Sequence, residues 1–299
     1  MKKNLLRAGS ALLAIMLVLT FAACGNRGND GGTVRVGSKD FTESLIVAEI
    51  YALALEDAGF TVDRTGMNLA SGIVHEAITS GEIDLYPEYT GTGLLSVLGM
   101  PLMTNPQEVY ELVSREYYEQ FDITWLDLTT AHNGQGISVR TQVADELGIR
   151  TISDLQPHAH LLRFVTTPEF LDREDGLPAM VAAYGPFDFA SVDTMGGGAR
   201  YEALRTDAAD VSVSFTTDGH LYNTHYYTLL QEDITIWPPY NLVPIVRNDI
   251  LLANPGIADA LNRLAPHITT ATLLHLNSQV IVYDRDIEDV AREFFESIR

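Results

Sequence analysis

Little in this chain has the residue types and spacing of a catalytic centre. It contains no G-x-S-x-G elbow, no H-E-x-x-H helix and no phosphate loop with its Lys-Ser/Thr. The only cysteine is Cys24, so no intramolecular disulfide can form, and it stands directly behind an apolar N-terminal run, where lipidation explains a thiol better than catalysis does. His158-Ala-His160 would set two imidazoles on one face of a strand, a spacing metals use, yet no further spaced ligand set accompanies the pair, and no metal is expected. The run Gly196-Gly-Gly198 ahead of a helical stretch suits either an anion cradle or a flexible turn. Abundant carboxylates permit a glycosidase pair in principle, but context singles none out. The remaining candidates are aromatic and charged residues beside turn formers: Tyr89 after Pro87-Glu88, Tyr240 after Pro238-Pro239, Lys39, and Arg173 among Asp172, Glu174 and Asp175. Read alone, the rings could equally pack a domain edge or line a pocket, and Arg173 could equally belong to a surface ion network. Binding, with no cofactor, is the chemistry these residues allow.

The elements that must position them alternate between strand and helix. Thr33–Gly37 alternates as a strand, and residues from about 41 to 58 carry apolar side chains at Leu45, Ile46, Ile50, Leu53 and Ala54 with helical spacing. Asp40, with Glu43 three residues on, predicts an N-cap and its reciprocal acceptor, and Gly59 the left-handed stop. Strands are expected at Phe60–Arg64 and Ile83–Tyr86 around a helix over Ser71–Ser80. The alternation restarts with strands at Leu162–Thr166, Phe187–Val192 and Val211–Phe215 and helices at Leu177–Tyr184 and Ala199–Arg205. Helices are expected again at Ile257–Leu264, Thr270–Ser278 and Asp286–Ile298. The βαβ order predicts an α/β protein of two lobes, each a mainly parallel sheet flanked by helices. Chain crossings near Asn133–Val139 and Pro238–Val246 would divide it into one lobe of residues 33–135 plus 241–299 and another of 136–240, with a cleft between them.

Lys2, Lys3 and Arg7 precede an uncharged run from Ala8 to Leu19, which reads as an export signal over residues 1–24. Phe21-Ala-Ala-Cys24 resembles a lipobox, with Phe21 where leucine is usual. A Gly/Asn/Asp-rich tether follows over residues 25–32. Roughly 265 residues remain, comfortable for two lobes. The net charge is −21, from 19 basic and 40 acidic residues. Such a field argues against a nucleic-acid partner, whose binding needs Lys/Arg on phosphates, and mildly favours a cationic ligand, although acidic residues also simply keep a secreted protein soluble.

Several separate motifs, in order along the chain, carry a resemblance. They are Gly37-Ser-Lys-Asp-Phe-Thr-Glu43, Asp84-Leu-Tyr-Pro-Glu-Tyr-Thr-Gly-Thr92, Pro168-Glu-Phe170 with Arg173-Glu-Asp-Gly176, Thr216-Thr-Asp-Gly219, and Trp237-Pro-Pro-Tyr-Asn-Leu-Val-Pro244. Over roughly residues 33 to 299 the chain resembles the substrate-binding proteins of the glycine betaine/choline/carnitine ABC transporters. The resemblance implies a type II-like periplasmic-binding-protein fold and a trimethylammonium group held in an interlobe aromatic cage. Tyr89 and Tyr240 would be two walls, and Phe215 falls where a third tyrosine is common. Lys39, Thr92 and Arg173 match residues that hold a ligand carboxylate. Within His132-Asn-Gly-Gln-Gly-Ile137, Gln135 stands where another cage tyrosine is usual. The implied protein is a monomeric, extracytoplasmic lipoprotein anchored through Cys24, a binding protein and not an enzyme, that delivers a quaternary amine to permease subunits. A different small amine or amino-acid-like solute, or a surface sensory lipoprotein without a permease, is the alternative.

Overall fold

The computed structural model describes residues 31–299. The export signal, Cys24 and the tether up to residue 30 lie outside the described residues. The strand β1 spans Gly31–Lys39, so the last two residues assigned to the tether belong to the fold: Gly31 and Thr33 pair with Phe60 and Thr61 of β2, Phe60–Leu69. β3 spans Leu85–Tyr89, which makes Tyr89 the last residue of a strand whose start was expected at Ile83.

β4 is Ile123–Trp125, β5 Gln135–Arg140, β6 Arg163–Thr166, β7 Ser191–Thr194, β8 Val211–Phe215, β9 Tyr227–Leu229 and β10 Leu242–Arg247. They form two five-stranded sheets, ordered β2-β1-β3-β10-β4 and β7-β6-β8-β5-β9. The two orders are the same pattern. In each sheet two strand pairs are parallel and two antiparallel, so the sheets are mixed where mainly parallel ones were expected. The reason is the crossover. The strand that arrives from the other sheet, β10 in the first and β5 in the second, takes the fourth place running against its neighbours. The two connecting segments are themselves paired at His132 and Asn241.

Helices cover both faces of the first sheet. The helix Thr42–Asp57 is buried on most of its surface, with Ile46, Val47, Ile50, Tyr51 and Leu55 sealed, as expected of a helix that is apolar nearly all round. It packs with β1 and with the helices Gly256–Asn262, Thr270–Ile281 and Ile287–Ile298, so the C-terminal helices complete the core that the N-terminal strand begins. On the opposite face Val74, Ile78, Tyr86, Tyr117, Trp125 and Ile245 form a second core. It is closed by the helix Pro106–Phe121, which the apolar periodicity above did not place; Asn105 caps it and Pro106 opens it. The second sheet has its own core, in which Trp237 is sealed among Ile137, Phe164 and Val213, a packing role. His158 and His160 lie on a 3-10 turn over Gln156–Leu161 and not on a strand. Among the described residues no helix is long and apolar enough to cross a membrane.

Gly219, just after β8, touches the helix Thr270–Ile281. A Cβ there would lie 2.6 Å from the carbonyl carbon of Asn277 and 2.8 Å from the Ser278 nitrogen, and backbone cannot swing aside as a side chain can. Gly219→Ala is therefore expected to destabilise the fold by roughly 1–3 kcal/mol, read as a lower thermal midpoint in differential scanning calorimetry.

Candidate ligand-binding site

A cleft of about 1050 Å³ is lined by residues from both sheets. Tyr89 and Tyr240 reach it together because the end of β3 is stitched to the segment before β10. The Thr90 N–H donates to the Asn241 carbonyl, and the Thr90 hydroxyl donates to the Pro239 carbonyl at 2.8 Å. Gly91 lies directly against the Tyr240 ring. A Cβ at Gly91 would come within 2.7 Å of two ring carbons, so only glycine lets the ring lie there. The connecting segment fixes the floor: the Asn133 N–H donates to the Tyr240 carbonyl, and β5 starts two residues later at Gln135.

Two buried carboxylates organise the walls. Glu43, 3% exposed, accepts from the Tyr89 hydroxyl (2.7 Å), Asn133 Nδ2 (2.9 Å) and Asn277 Nδ2 (2.7 Å). It does not cap its own helix. The N-cap position is Phe41, without a side-chain cap, and Asp40 instead accepts from the Ser71 hydroxyl. Burial holds the Glu43 carboxyl above the usual carboxylate range, against the pull of its hydrogen bonds from Thr217, Tyr89, Asn277 and Asn133. The Tyr89 phenol is also pushed up, by burial first and then by the Glu43 charge.

The second carboxylate is Asp175. It accepts from Gln135 Nε2 (2.8 Å), the Tyr240 hydroxyl (2.9 Å) and Arg173 (2.6 and 2.7 Å). Burial pushes its carboxyl up, but hydrogen bonding and charge from Arg173, with the Tyr240 hydroxyl, outweigh that and hold it below the usual range. A third buried acid, Glu88, forms an ion pair with Lys39 and accepts from the Tyr86 hydroxyl at 2.8 Å and the Tyr89 N–H at 2.7 Å. The Lys39 ammonium also lies 5.3 Å from the centre of the Tyr89 ring.

All seven sequence-derived candidates, Lys39, Tyr89, Thr92, Gln135, Arg173, Phe215 and Tyr240, line this one cleft. Their environments differ. Lys39, Tyr89 and Gln135 are buried, while Phe215 is 40% exposed at the rim and the Arg173 side chain is half exposed. Sequence reasoning missed Glu43 as a cleft residue, together with Asn133, Asn277 and Arg200, which also line it, and Asp175, which anchors three of the seven. Asp175 sat inside a quoted motif, but nothing in its charged neighbourhood distinguished it from a surface acid. Both lining carboxylates, Glu43 and Asp218, are committed to protein donors, and the arrangement suits holding a solute more than turning one over.

Asp175→Asn removes the negative charge that Arg173 pairs with and turns one of the two acceptor oxygens serving Arg173, Tyr240 and Gln135 into a donor. At neutral pH the variant is expected to be less stable by roughly 1–3 kcal/mol. Because the folded pKa of Asp175 is depressed, its contribution is present above the unfolded carboxylate value and is lost as pH falls through the folded one. The stability gap between wild type and variant should therefore shrink below about pH 4, measured by thermal denaturation across pH, since the unfolded Asp titrates near there.

Comparison with known proteins follows the same lines. A family model described as the substrate binding domain of ABC-type glycine betaine transport system matches residues 32–297. The chain is 30% identical over 303 residues to the carnitine transport binding protein OpuCC of Listeria monocytogenes, covering 99% of this chain and 97% of that one. It is 30% identical over 275 residues to the glycine betaine-binding protein YehZ of Escherichia coli K12, covering 88% and 90% respectively. A crystal structure of a glycine betaine/carnitine/choline ABC transporter component superposes with a TM-score of 0.81 at 26% identity, over 88% of this chain and 98% of that one. Two α/β sheets joined by paired crossovers over a shared cleft are thus the type II periplasmic-binding-protein fold, and the chain belongs to the family of substrate-binding domains of ABC-type glycine betaine transport systems, as a solute-binding protein and not an enzyme.

Proposed function

We propose that this protein captures a quaternary-ammonium osmolyte, such as glycine betaine, choline or carnitine, in its cleft and delivers it to the membrane permease of an ABC importer. The reading includes an extracytoplasmic location, anchorage through a lipidated Cys24, and closure of a lobe of residues 33–135 plus 241–299 on a lobe of 136–240. The observation that carries it is the convergence of Tyr89, Phe215 and Tyr240 on a single cleft with Lys39, Thr92, Gln135 and Arg173. A methylated cation donates no hydrogen bond, so ring faces hold it by their quadrupole and by excluding water, worth ~0.5–2 kcal/mol for each ring. Phe41 lines the same cleft, its ring 6.1 Å from that of Tyr89, and adds apolar surface beside the cage. Capture is a population shift: the solute must bind the closed form more tightly than the open one.

A second reading keeps the fold and changes the solute to another small amine or an amino-acid-like molecule. What favours it is Gln135, whose amide donates to both the carbonyl and the carboxylate of Asp175 and so gives the cleft a polar wall where the resemblance leads one to expect a ring face.

Isothermal titration against glycine betaine, choline, carnitine and a panel of amino acids separates the two readings. Saturable one-to-one binding of a quaternary amine is expected, with Tyr89→Ala and Tyr240→Ala each weakening it roughly 3- to 30-fold while the thermal midpoint shows the fold intact. Unchanged affinity in both variants would remove the cage assignment. Binding of amino acids alone would favour the second reading.

A further inference from the structure

Three amide side chains line the cleft, Asn133, Gln135 and Asn277, and each donates to a buried acid, Glu43 or Asp175. Their carbonyl oxygens are left over. Those of Asn133 and Asn277 are sealed off without a partner. Gln135 differs. Among the described residues its Oε1 takes no protein donor, yet it is not sealed, so it is the amide oxygen that a molecule in the cleft can meet. The residue as a whole is only 7% exposed, and a solute that fills the cleft strips this oxygen of water.

The orientation of the amide is fixed. Gln135 Nε2 donates to the Asp175 carbonyl and to Asp175 Oδ2, both at 2.8 Å. Turning the amide over would press Oε1 against two acceptor oxygens, so the nitrogen faces Asp175 and the oxygen faces the cleft. Both N–H groups are used in this way, and Gln135 has an acceptor to offer and no donor. It therefore does not compete with Lys39, Thr92 and Arg173, the donors to which the resemblance gives a solute's carboxylate.

Gln135 also lies among the rings. It is the direct antiparallel partner of Phe215, so the two side chains stand next to each other on one face of the second sheet. Asp175 Oδ2, which receives the amide, receives the Tyr240 hydroxyl as well, at 2.9 Å, and this shared oxygen sets the amide beside that hydroxyl. A cation seated between Tyr240 and Phe215 has Oε1 as a neighbour.

We propose that Gln135 is a specificity-determining residue that accepts a hydrogen bond from a donor beside the solute's cationic centre, either a hydroxyl or an ammonium N–H. This deepens the reading of the cleft as a quaternary-ammonium site and rests on it. A trimethylammonium group has only C–H groups to turn toward Oε1, and such contacts are weak. A solute without a donor leaves the oxygen desolvated and unpaired, whereas one with a donor satisfies it. Gln135 then ranks solutes that the rings and the carboxylate donors treat alike.

The test is isothermal titration with two matched pairs of ligands, each differing by one donor. Carnitine and γ-butyrobetaine differ by a hydroxyl, and N,N-dimethylglycine and glycine betaine by an N–H in place of a methyl. The readout is the ratio of affinities within a pair, compared between wild type and Gln135→Met, which keeps the length of the side chain and removes its acceptor. A ratio within one protein cancels any general weakening of the site. Gln135→Leu, with thermal unfolding of each protein, supplies the same comparison if Gln135→Met is poorly folded. In at least one pair the wild type should favour the donor-bearing ligand ~3- to 10-fold more than the variant does, the scale of one hydrogen bond. A change in the carnitine pair identifies a hydroxyl as the donor, and one in the glycine betaine pair an N–H. Ratios equal in wild type and variant for both pairs would overturn this inference alone. Wild type that binds none of the four ligands would overturn the quaternary-ammonium reading and this inference with it.

Discussion

A fully desolvated carboxylate, Glu43, ties together stretches of chain that are far apart in sequence. Its oxygens take donors from the end of β3, from the connection into the second sheet and from the helix Thr270–Ile281. A carboxylate removed from water must find such donors or be neutralised, and donors can be supplied only if all three segments come to one place. The cleft's floor is that meeting point. Tyr89 is held by the bond it gives to Glu43, and Tyr240 by the bond it gives to Asp175, so the two rings that would face a cation are each positioned through their hydroxyls by a buried acid. Rings placed in this way lose little rotamer freedom when a ligand arrives.

The same logic governs the cleft's charge. Two acids and two cations cancel in pairs, Lys39 with Glu88 and Arg173 with Asp175, while Arg200, Glu43 and Asp218 line the cleft outside any such ion pair. Buried pairs of this kind contribute little net stability, because desolvation offsets most of their attraction; what they supply is a fixed arrangement. The overall charge of −21 acts at longer range and attracts cations toward the protein, while the groups inside the cleft decide which of them stay.

Much of the architecture was legible in the chain. Apolar spacing located the helix Thr42–Asp57 and the three C-terminal helices closely, because their buried faces repeat at the helical period over several turns. Short elements were less legible. β7 was expected over Phe187–Val192 and spans Ser191–Thr194, since four residues carry too little pattern to fix a register and the Pro-flanked approach looks extended by itself. The helix Pro106–Phe121 was missed although Asn105-Pro106 signals its start, because its apolar positions are interleaved with Glu and Gln. Glu43 was misread for a local reason: an acid three residues after Asp40 has the spacing of a capping box, and only the burial of that end of the helix turned it inward.

What the sequence determined by itself was seven residues that come to line one cleft, drawn from separate motifs in order along the chain, and an α/β alternation that restarts midway. Tertiary structure alone decided which charges those residues keep. Lys39, Arg173 and Arg200 are equivalent as letters, yet two of them lie against acids and the third does not. Pairing depends on distances between segments brought together by the two crossovers, and electrostatic energy in a desolvated cleft changes steeply with those distances. No local pattern encodes them.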